Sequence, residues 1–199
     1  MDANPVFVRE DIFMDHLTEK EIASYLKKNI KLDNSVDGPI YRCSAILTDG
    51  TFLSCVIFQE IEKKVNLAIK RFDETRADKS LHKSVGYRAI VESFVCNGNR
   101  LSSWVIKELQ PCPYAISGER VSEIGGETSM GWTEFICEME DGKTFCFGTT
   151  FDIWFFEMPE GYSADRILKV TPAIRGKRSH DRVYREKPYF TCYLPEKLV

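Results

Sequence analysis

The thiols with the most definite predicted geometry are Cys137 and Cys146, which flank an Asp-Gly dipeptide. Asp-Gly is preferred in type I′ turns, because both central positions of that turn need a positive φ. A two-residue turn at Asp141-Gly142 would place Cys137 directly opposite Cys146, where cross-strand side chains come closest. The register allows either a redox-switchable thiol pair or two thiols that share a half-buried face. We favour the second interpretation, because a reactive thiol needs exposure and a nearby positive charge, and the sequence shows neither at these positions.

The other cysteines show no pattern typical of a disulfide framework. The chain has seven cysteines, an odd number, and none of them forms a C-x-x-C spacing. We therefore expect reduced thiols that pack as small apolar side chains. Cys112 has the most unusual context, between Pro111 and Pro113, and we interpret this rigid segment as shaping a turn rather than activating the sulfur.

Motifs for catalysis, metal binding or phosphate binding are not evident in the sequence. It contains neither a G-x-S-x-G nucleophile motif nor a phosphate-binding loop of the G-x-x-x-x-G-K-[ST] type. The three histidines, His16, His82 and His180, are scattered, so we predict no metal site and no cofactor. An enzymatic site would have to be assembled from distant residues, and the sequence identifies no catalytic residue.

Residues 175–187 form a strongly basic segment. Its basic residues are Arg175, Lys177, Arg178, Arg182, Arg185 and Lys187. With Asp181 and Glu186 the segment has a net charge of +4, so the rest of the chain, whose total is −3, carries −7. One interpretation is a solvated surface that neutralises the acidic body. The other is a contact surface for nucleic acid or an acidic partner, with Tyr184 and Tyr189 stacking on exposed bases.

Aromatic side chains crowd the third predicted hairpin and the residues that follow it. They are Phe145, Phe147, Phe151, Trp154, Phe155 and Phe156. Aromatic residues are favoured on buried, pleated surfaces, so we interpret the group as the core of a sheet. The lining of a ligand pocket is the alternative.

Two helices are predicted from local patterns. Thr18 and Glu21 have the spacing of a capping box, and apolar residues recur at helical spacing after them, which predicts a helix over 19–30. A second apolar stripe with charged residues off it predicts a helix over 61–76.

Three β-hairpins account for most of the remaining pattern. They are predicted at residues 40–58, 87–109 and 132–150, each around an Asp-Gly or Asn-Gly turn. In the first, a two-residue turn would place Tyr41 opposite Phe58. A shift of 48 residues aligns parts of the first two hairpins, which is either a degenerate internal repeat or a chance similarity. We favour chance, because the matches are few.

These elements predict one α+β domain over residues 1–199. We expect a twisted antiparallel sheet of six or more strands, built from the three hairpins, with both helices packed on one face. The longest apolar runs have four residues, far short of the about 20 that span a membrane. The first residues lack the features of a secretory signal, so we expect a reducing, cytoplasmic location without membrane contact.

Function is the least determined property. We favour a non-catalytic protein that binds another protein, because no catalytic constellation is evident and the body of the chain is acidic. A nucleic-acid-associated protein that uses the basic segment is the first alternative. An enzyme with a site assembled from distant residues is the second.

Overall fold

The computed structural model describes residues 15–35, 38–77, 98–150, 152–174, 182–195 and 197–198. These residues form ten strands in two sheets together with three α-helices, which confirms the α+β class. The strands are β1 (Asp33–Ser35), β2 (Gly38–Leu47), β3 (Phe52–Glu60), β4 (Arg100–Leu101), β5 (Ile106–Pro111), β6 (Thr133–Met139), β7 (Thr144–Thr149), β8 (Ile167–Pro172), β9 (Val183–Arg185) and β10 (Phe190–Leu194). The helices are α1 (Glu19–Asn29), α2 (Ile61–Ala77) and α3 (Gly118–Val121).

The first sheet has the order β1-β2-β3-β10-β4, and β5 pairs with β2 beside β1. Its β2–β3 hairpin and the β2–β5 pair are antiparallel, whereas β10 runs parallel to β3 and β4. The second sheet has the order β8-β6-β7-β9, with β9 parallel to β7. The strands therefore divide between two sheets. Both sheets have mixed pairing, because β9 and β10 come from a distant part of the chain and run parallel to their partners.

Helix α1 follows directly from its capping residues. The Thr18 backbone N–H donates to the Glu21 carboxylate at 2.8 Å, and the Glu21 N–H donates to the Thr18 hydroxyl at 3.3 Å. The predicted capping box is therefore confirmed. The helix buries Ile22 and Leu26 in the core of the first sheet.

Helix α2 matches its predicted range to within one residue but presents part of its apolar stripe to solvent. Val65 is 39% exposed and Ile69 is 54% exposed. Of the helix side chains that the structure describes, those of α1 pack in the core of the first sheet.

The first hairpin has the predicted pairing of Tyr41 with Phe58 but a different turn. Leu47 N–H donates to the Thr51 carbonyl at 2.9 Å, which closes a three-residue loop instead of the predicted two-residue turn. A bulge between Cys43 and Ala45 restores the outer register. The bulge brings Leu53 into the core in place of the polar Ser54, and Phe52, which the two-residue register placed inside, is 54% exposed.

The third hairpin shows the same loop, which makes the predicted cysteine register wrong. Cys137 pairs with Phe145, and Cys146 pairs with Ile136. A three-residue loop ends in one residue with positive φ, here Gly142 at 79°. The residue before Gly142 does not need a positive φ. The one-residue slip sends Cys137 and Cys146 to opposite faces of the sheet.

The second predicted hairpin is only partly described. Its first arm and Asn97 lie outside the described residues. The second arm is interrupted by a 3₁₀ turn at Ser103–Val105, and its two pieces pair with β10 and β2.

The two sheets repeat one plan. In each, a hairpin with a three-residue loop is followed by a 3₁₀ turn and a third strand that pairs with the first strand of the hairpin. The residue after β2, Thr48, donates its N–H to the Val105 carbonyl at 2.9 Å; the residue after β6, Glu140, donates to Arg166 at 3.0 Å. A parallel strand, β10 or β9, completes each unit. This correspondence relates the first and third predicted hairpins, whereas the alignment by 48 residues related the first and second.

Candidate functional site at the seam between the sheets

A third apolar cluster joins the two halves of the molecule, and we call it the seam. Its members are Ile40, Cys55, Ile57, Cys112, Tyr114, Ala115, Trp154, Phe155 and Tyr189. They come from the face of the first sheet opposite α1 and from three connecting segments, 112–115, 154–155 and the one that contains Tyr189. A seam between two β-units is a common position for a binding site.

A buried ion pair fixes the relative position of the elements at the seam. The Arg42 guanidinium donates to Asp33 Oδ2 at 3.0 Å and 2.6 Å, to the Trp154 carbonyl at 2.5 Å, and to the Ile116 carbonyl. Asp33 Oδ1 accepts from the Gly118 N–H at 2.8 Å. Ile116 belongs to the core of the second sheet, so these bonds connect strands β1 and β2 to the other half.

An open cleft of about 430 Å³ lies at the edge of the seam. Its lining residues are Asn99, Asp152, Glu186, Lys187, Pro188 and Tyr189. Glu186 is placed by a bridge to Phe156 directly after β9, and Tyr189 directly precedes β10. Four of the six lining residues therefore belong to the short segment that joins β9 to β10.

Asp152 and Tyr189 form a half-buried pair on one wall of the cleft. The Tyr189 hydroxyl donates to Asp152 Oδ1 at 3.4 Å. Burial raises the pKa of the Asp152 carboxyl, and the nearby Glu186 charge adds to this effect, whereas the bond from Tyr189 opposes it. Burial, together with the Asp152 charge, raises the pKa of Tyr189 to about 12. Tyr189 is therefore a neutral hydrogen-bond donor at physiological pH.

Glu186 leaves one acceptor atom unused. Its Oε1 accepts from the Thr150 hydroxyl at 3.0 Å. Its Oε2 is buried and has no hydrogen-bond partner among the residues that the structure describes. A buried polar atom without a partner costs free energy, typically about 1–3 kcal/mol.

The basic residues are only partly described. Arg182, Arg185 and Lys187 each hold their cation over an aromatic ring, at 4.5 Å for Tyr184, 4.6 Å for Trp132 and 4.5 Å for Tyr114, respectively. Arg175, Lys177 and Arg178 lie outside the described residues. The surface that all six would form together stays a prediction.

Cys137 and Cys146 do not face each other across the hairpin, whereas two other thiols, Cys55 and Cys112, lie against the same residue. Burial raises the pKa of Cys137, which faces the core of the second sheet. Cys55 and Cys112, by contrast, both belong to the seam and both contact Ser54. The sequence carried one signal for this pair, the flanking prolines of Cys112, which we interpreted as a turn.

The predicted core aromatics and the missed cleft residue come from the same stretch of chain. Phe145, Phe147, Phe155 and Phe156 pack in the described cores, and Phe151 lies outside the described residues. The missed residue is Asp152, whose signal was a single carboxylate within an otherwise apolar run.

Comparisons with known proteins add no functional information. No protein-family model, no curated protein and no solved structure matches this chain. Within the described ranges, no helix combines the length and apolar character needed to cross a membrane. The same residues contain no group of three or more His, Cys, Asp or Glu side chains placed to hold a metal ion.

Proposed function

We propose that this protein is a non-catalytic binding protein whose seam cleft accepts a basic side chain of a protein partner. The observation that carries the proposal is the Glu186 carboxylate in the lining of the cleft, whose Oε2 atom has no hydrogen-bond donor among the described residues. A carboxylate oxygen in a cleft is complementary to a guanidinium or ammonium group, because such hydrogen bonds are charge-assisted.

The other groups of the cleft fit the same ligand. Asp152 adds a second carboxylate, and Tyr189 supplies an aromatic wall beside it. Lys187 also lines the cleft, and its ammonium lies over the Tyr114 ring, which holds it by a cation–π contact. A volume of about 430 Å³ falls within the usual range for ligand pockets and accommodates one long side chain.

The charge of the whole chain supports a basic partner. The net charge of the whole chain is −3. An acidic body attracts a basic partner over distances of about the Debye length, about 8 Å at physiological salt, and orients it before contact. Arg182, Arg185 and Lys187 of the basic segment hold their cations over the protein's own aromatic rings.

The test uses two probes that differ only in charge, N-acetyl-arginine amide and its neutral isostere N-acetyl-citrulline amide. We expect the arginine probe to shift the backbone NMR resonances of Glu186 to Tyr189, and the citrulline probe to shift them much less. The Glu186→Gln variant should lose about tenfold in affinity, which equals about 1.4 kcal/mol, at the lower end for a hydrogen bond to a charged group.

Glu157→Gln is the matched control, because Glu157 is an exposed carboxylate that does not line the cleft and whose backbone N–H donates to the carbonyl of the neighbouring Arg185 at 2.8 Å. It should bind the arginine probe as the unmodified protein does. Equal binding of both probes, or an unchanged affinity in Glu186→Gln, would contradict the proposal.

A further inference from the structure

Two thiols of the seam, Cys55 and Cys112, meet at a single backbone position. The Cys112 thiol donates to the Ser54 carbonyl at 3.0 Å, and the Cys55 sulfur lies 3.6 Å from the Ser54 hydroxyl. Both side chains pack in the seam. The β3 bulge sets two residues, Ser54 and Cys55, opposite Ser44 and directs Cys55 into the seam.

The surroundings of Cys112 favour its thiolate. A hydrogen bond from the Cys55 thiol lowers the pKa of Cys112, and the backbone N–H groups of Tyr114 and Ala115 and the Ser44 hydroxyl act in the same direction. Burial opposes them, and so does the hydrogen bond that the Cys112 thiol donates to the Ser54 carbonyl. Cys112 is the least buried of the cysteines that the structure describes. These are the conditions under which a cysteine becomes a nucleophile.

The surroundings of Cys55 have the opposite effect. Cys55 is 2% exposed. Its hydrogen bond to Cys112, followed by burial and by repulsion from a charged Cys112, raises the pKa of Cys55, while the Lys187 charge lowers it. Of the two thiols, Cys112 therefore loses its proton first. The largest cause of the high pKa of Cys55 disappears once Cys112 is bonded to another sulfur.

We propose that Cys112 and Cys55 form a redox site that exchanges with low-molecular-weight disulfides, with Cys112 as the attacking sulfur and Cys55 as the resolving one. The Cys112 thiolate attacks R–S–S–R, whose S–S bond breaks, so that a mixed disulfide forms on Cys112 and RS⁻ leaves. Cys55 then transfers its proton to that RS⁻ and attacks the Cys112 sulfur, and a second RS⁻ leaves and is protonated by water. The protein dithiol loses two electrons, and the small disulfide gains them as two thiols.

The other described cysteines lack these features. Burial raises the pKa of Cys43, Cys137 and Cys192. Cys146 is 1% exposed and lies on the opposite face from Cys137. Among the cysteines that the structure describes, Cys112 alone combines incomplete burial, a lowered pKa and a second thiol against the same residue.

The test is the reaction of the intact protein with oxidised glutathione, followed by mass spectrometry of unreduced peptides. We expect the mass of two hydrogens to be lost and a peptide linked through Cys55 and Cys112 to appear. The Cys55→Ser variant should stop at a mixed disulfide with one glutathione on Cys112. The Cys112→Ser variant should acquire neither modification at these positions.

Cys137→Ala is the control variant and should form the Cys55–Cys112 link at the unmodified rate. Alkylation of the unmodified protein with iodoacetamide gives a readout that does not depend on any variant. Cys112 should react first, and its rate should level off at a lower pH than that of a free cysteine. Glutathione addition mainly at another cysteine, or a Cys112 that reacts more slowly than the buried thiols, would overturn the proposal.

Discussion

Arg42 and Asp33 form a salt bridge of 2.6 Å in which both residues are more than nine-tenths buried. The bridge connects neighbouring strands, and its remaining hydrogen bonds reach carbonyls and an N–H of segments that pack on the other sheet. Removal of one partner would leave an uncompensated charge in the interior of the seam.

We expect Arg42→Met to lower the free energy of unfolding by about 3–5 kcal/mol, the usual cost of an orphaned buried charge. The double variant Arg42→Met with Asp33→Asn should recover part of this loss. Urea denaturation measures both. Lys31→Met is the control, because its bridge to Glu119 is exposed, and such pairs contribute about 0–1 kcal/mol. A similar cost for Arg42→Met and Lys31→Met would contradict the role given to the buried pair.

The raised pKa of Asp152 predicts a pH-dependent stability. A carboxyl whose pKa is higher in the folded than in the unfolded state favours folding at low pH, and this contribution is lost as the pH rises through the folded pKa. Asp152→Asn should therefore be more stable than the unmodified protein at neutral pH, and this advantage should shrink in acid. Thermal unfolding from neutral pH down to the ordinary carboxyl range checks it.

Asp49→Asn should behave in the opposite way. A hydrogen bond from Thr51 lowers the pKa of Asp49, so its contribution to stability is present above the unfolded pKa and is lost as pH falls through the folded pKa. Stability profiles with the same sign for the Asp152 and Asp49 variants would show that the environments differ from those described.

The loop of the third hairpin predicts a cost for one glycine substitution. Gly142 has a φ of 79°, where an added Cβ is strained even though no atom lies within 4 Å of it. We expect Gly142→Ala to lower the free energy of unfolding by about 1–2 kcal/mol. Gly126→Ala is the matched control, because its surroundings are equally open and its φ is not in the left-handed region. A cost at Gly126 as large as at Gly142 would show that the backbone angle is not the cause.

The nucleic-acid interpretation of the basic segment has its own test. If that surface contacts phosphates, replacement of Arg175, Lys177 and Arg178 by Ser should weaken retention of the protein on phosphocellulose and reduce its dependence on salt. Binding of N-acetyl-arginine amide in the cleft should not change in this variant. Unchanged retention would leave the segment with a structural role, and lost arginine binding would mean that the two surfaces are not independent.

Local signals in the sequence predicted local structure well. The capping box at Thr18 and Glu21 depends on residues three positions apart, so it was readable directly. The first and third hairpins were also readable, but an Asp-Gly dipeptide suits both a two-residue turn and the end of a three-residue loop. That ambiguity of one residue was enough to misplace Cys137 against Cys146.

The site depends on contacts between distant residues, which the sequence did not specify. Asp152 and Tyr189 meet only because β10 returns to pair with β3. Cys55 and Cys112 meet only because a bulge and a strand partner bring them together at Ser54. A lone carboxylate in an apolar run and a thiol between two prolines were visible, but their partners were not.

Strands β9 and β10 give the molecule a particular order of assembly. Each sheet obtains its parallel strand from one short stretch, residues 183–194, although the remaining strands of the sheets are separate along the chain. A ribosome delivers the chain from its N-terminus, so both hairpins emerge with an unpaired edge that only this later stretch covers. The two sheets are therefore completed within a few residues of each other, and the seam and its cleft form at the same moment.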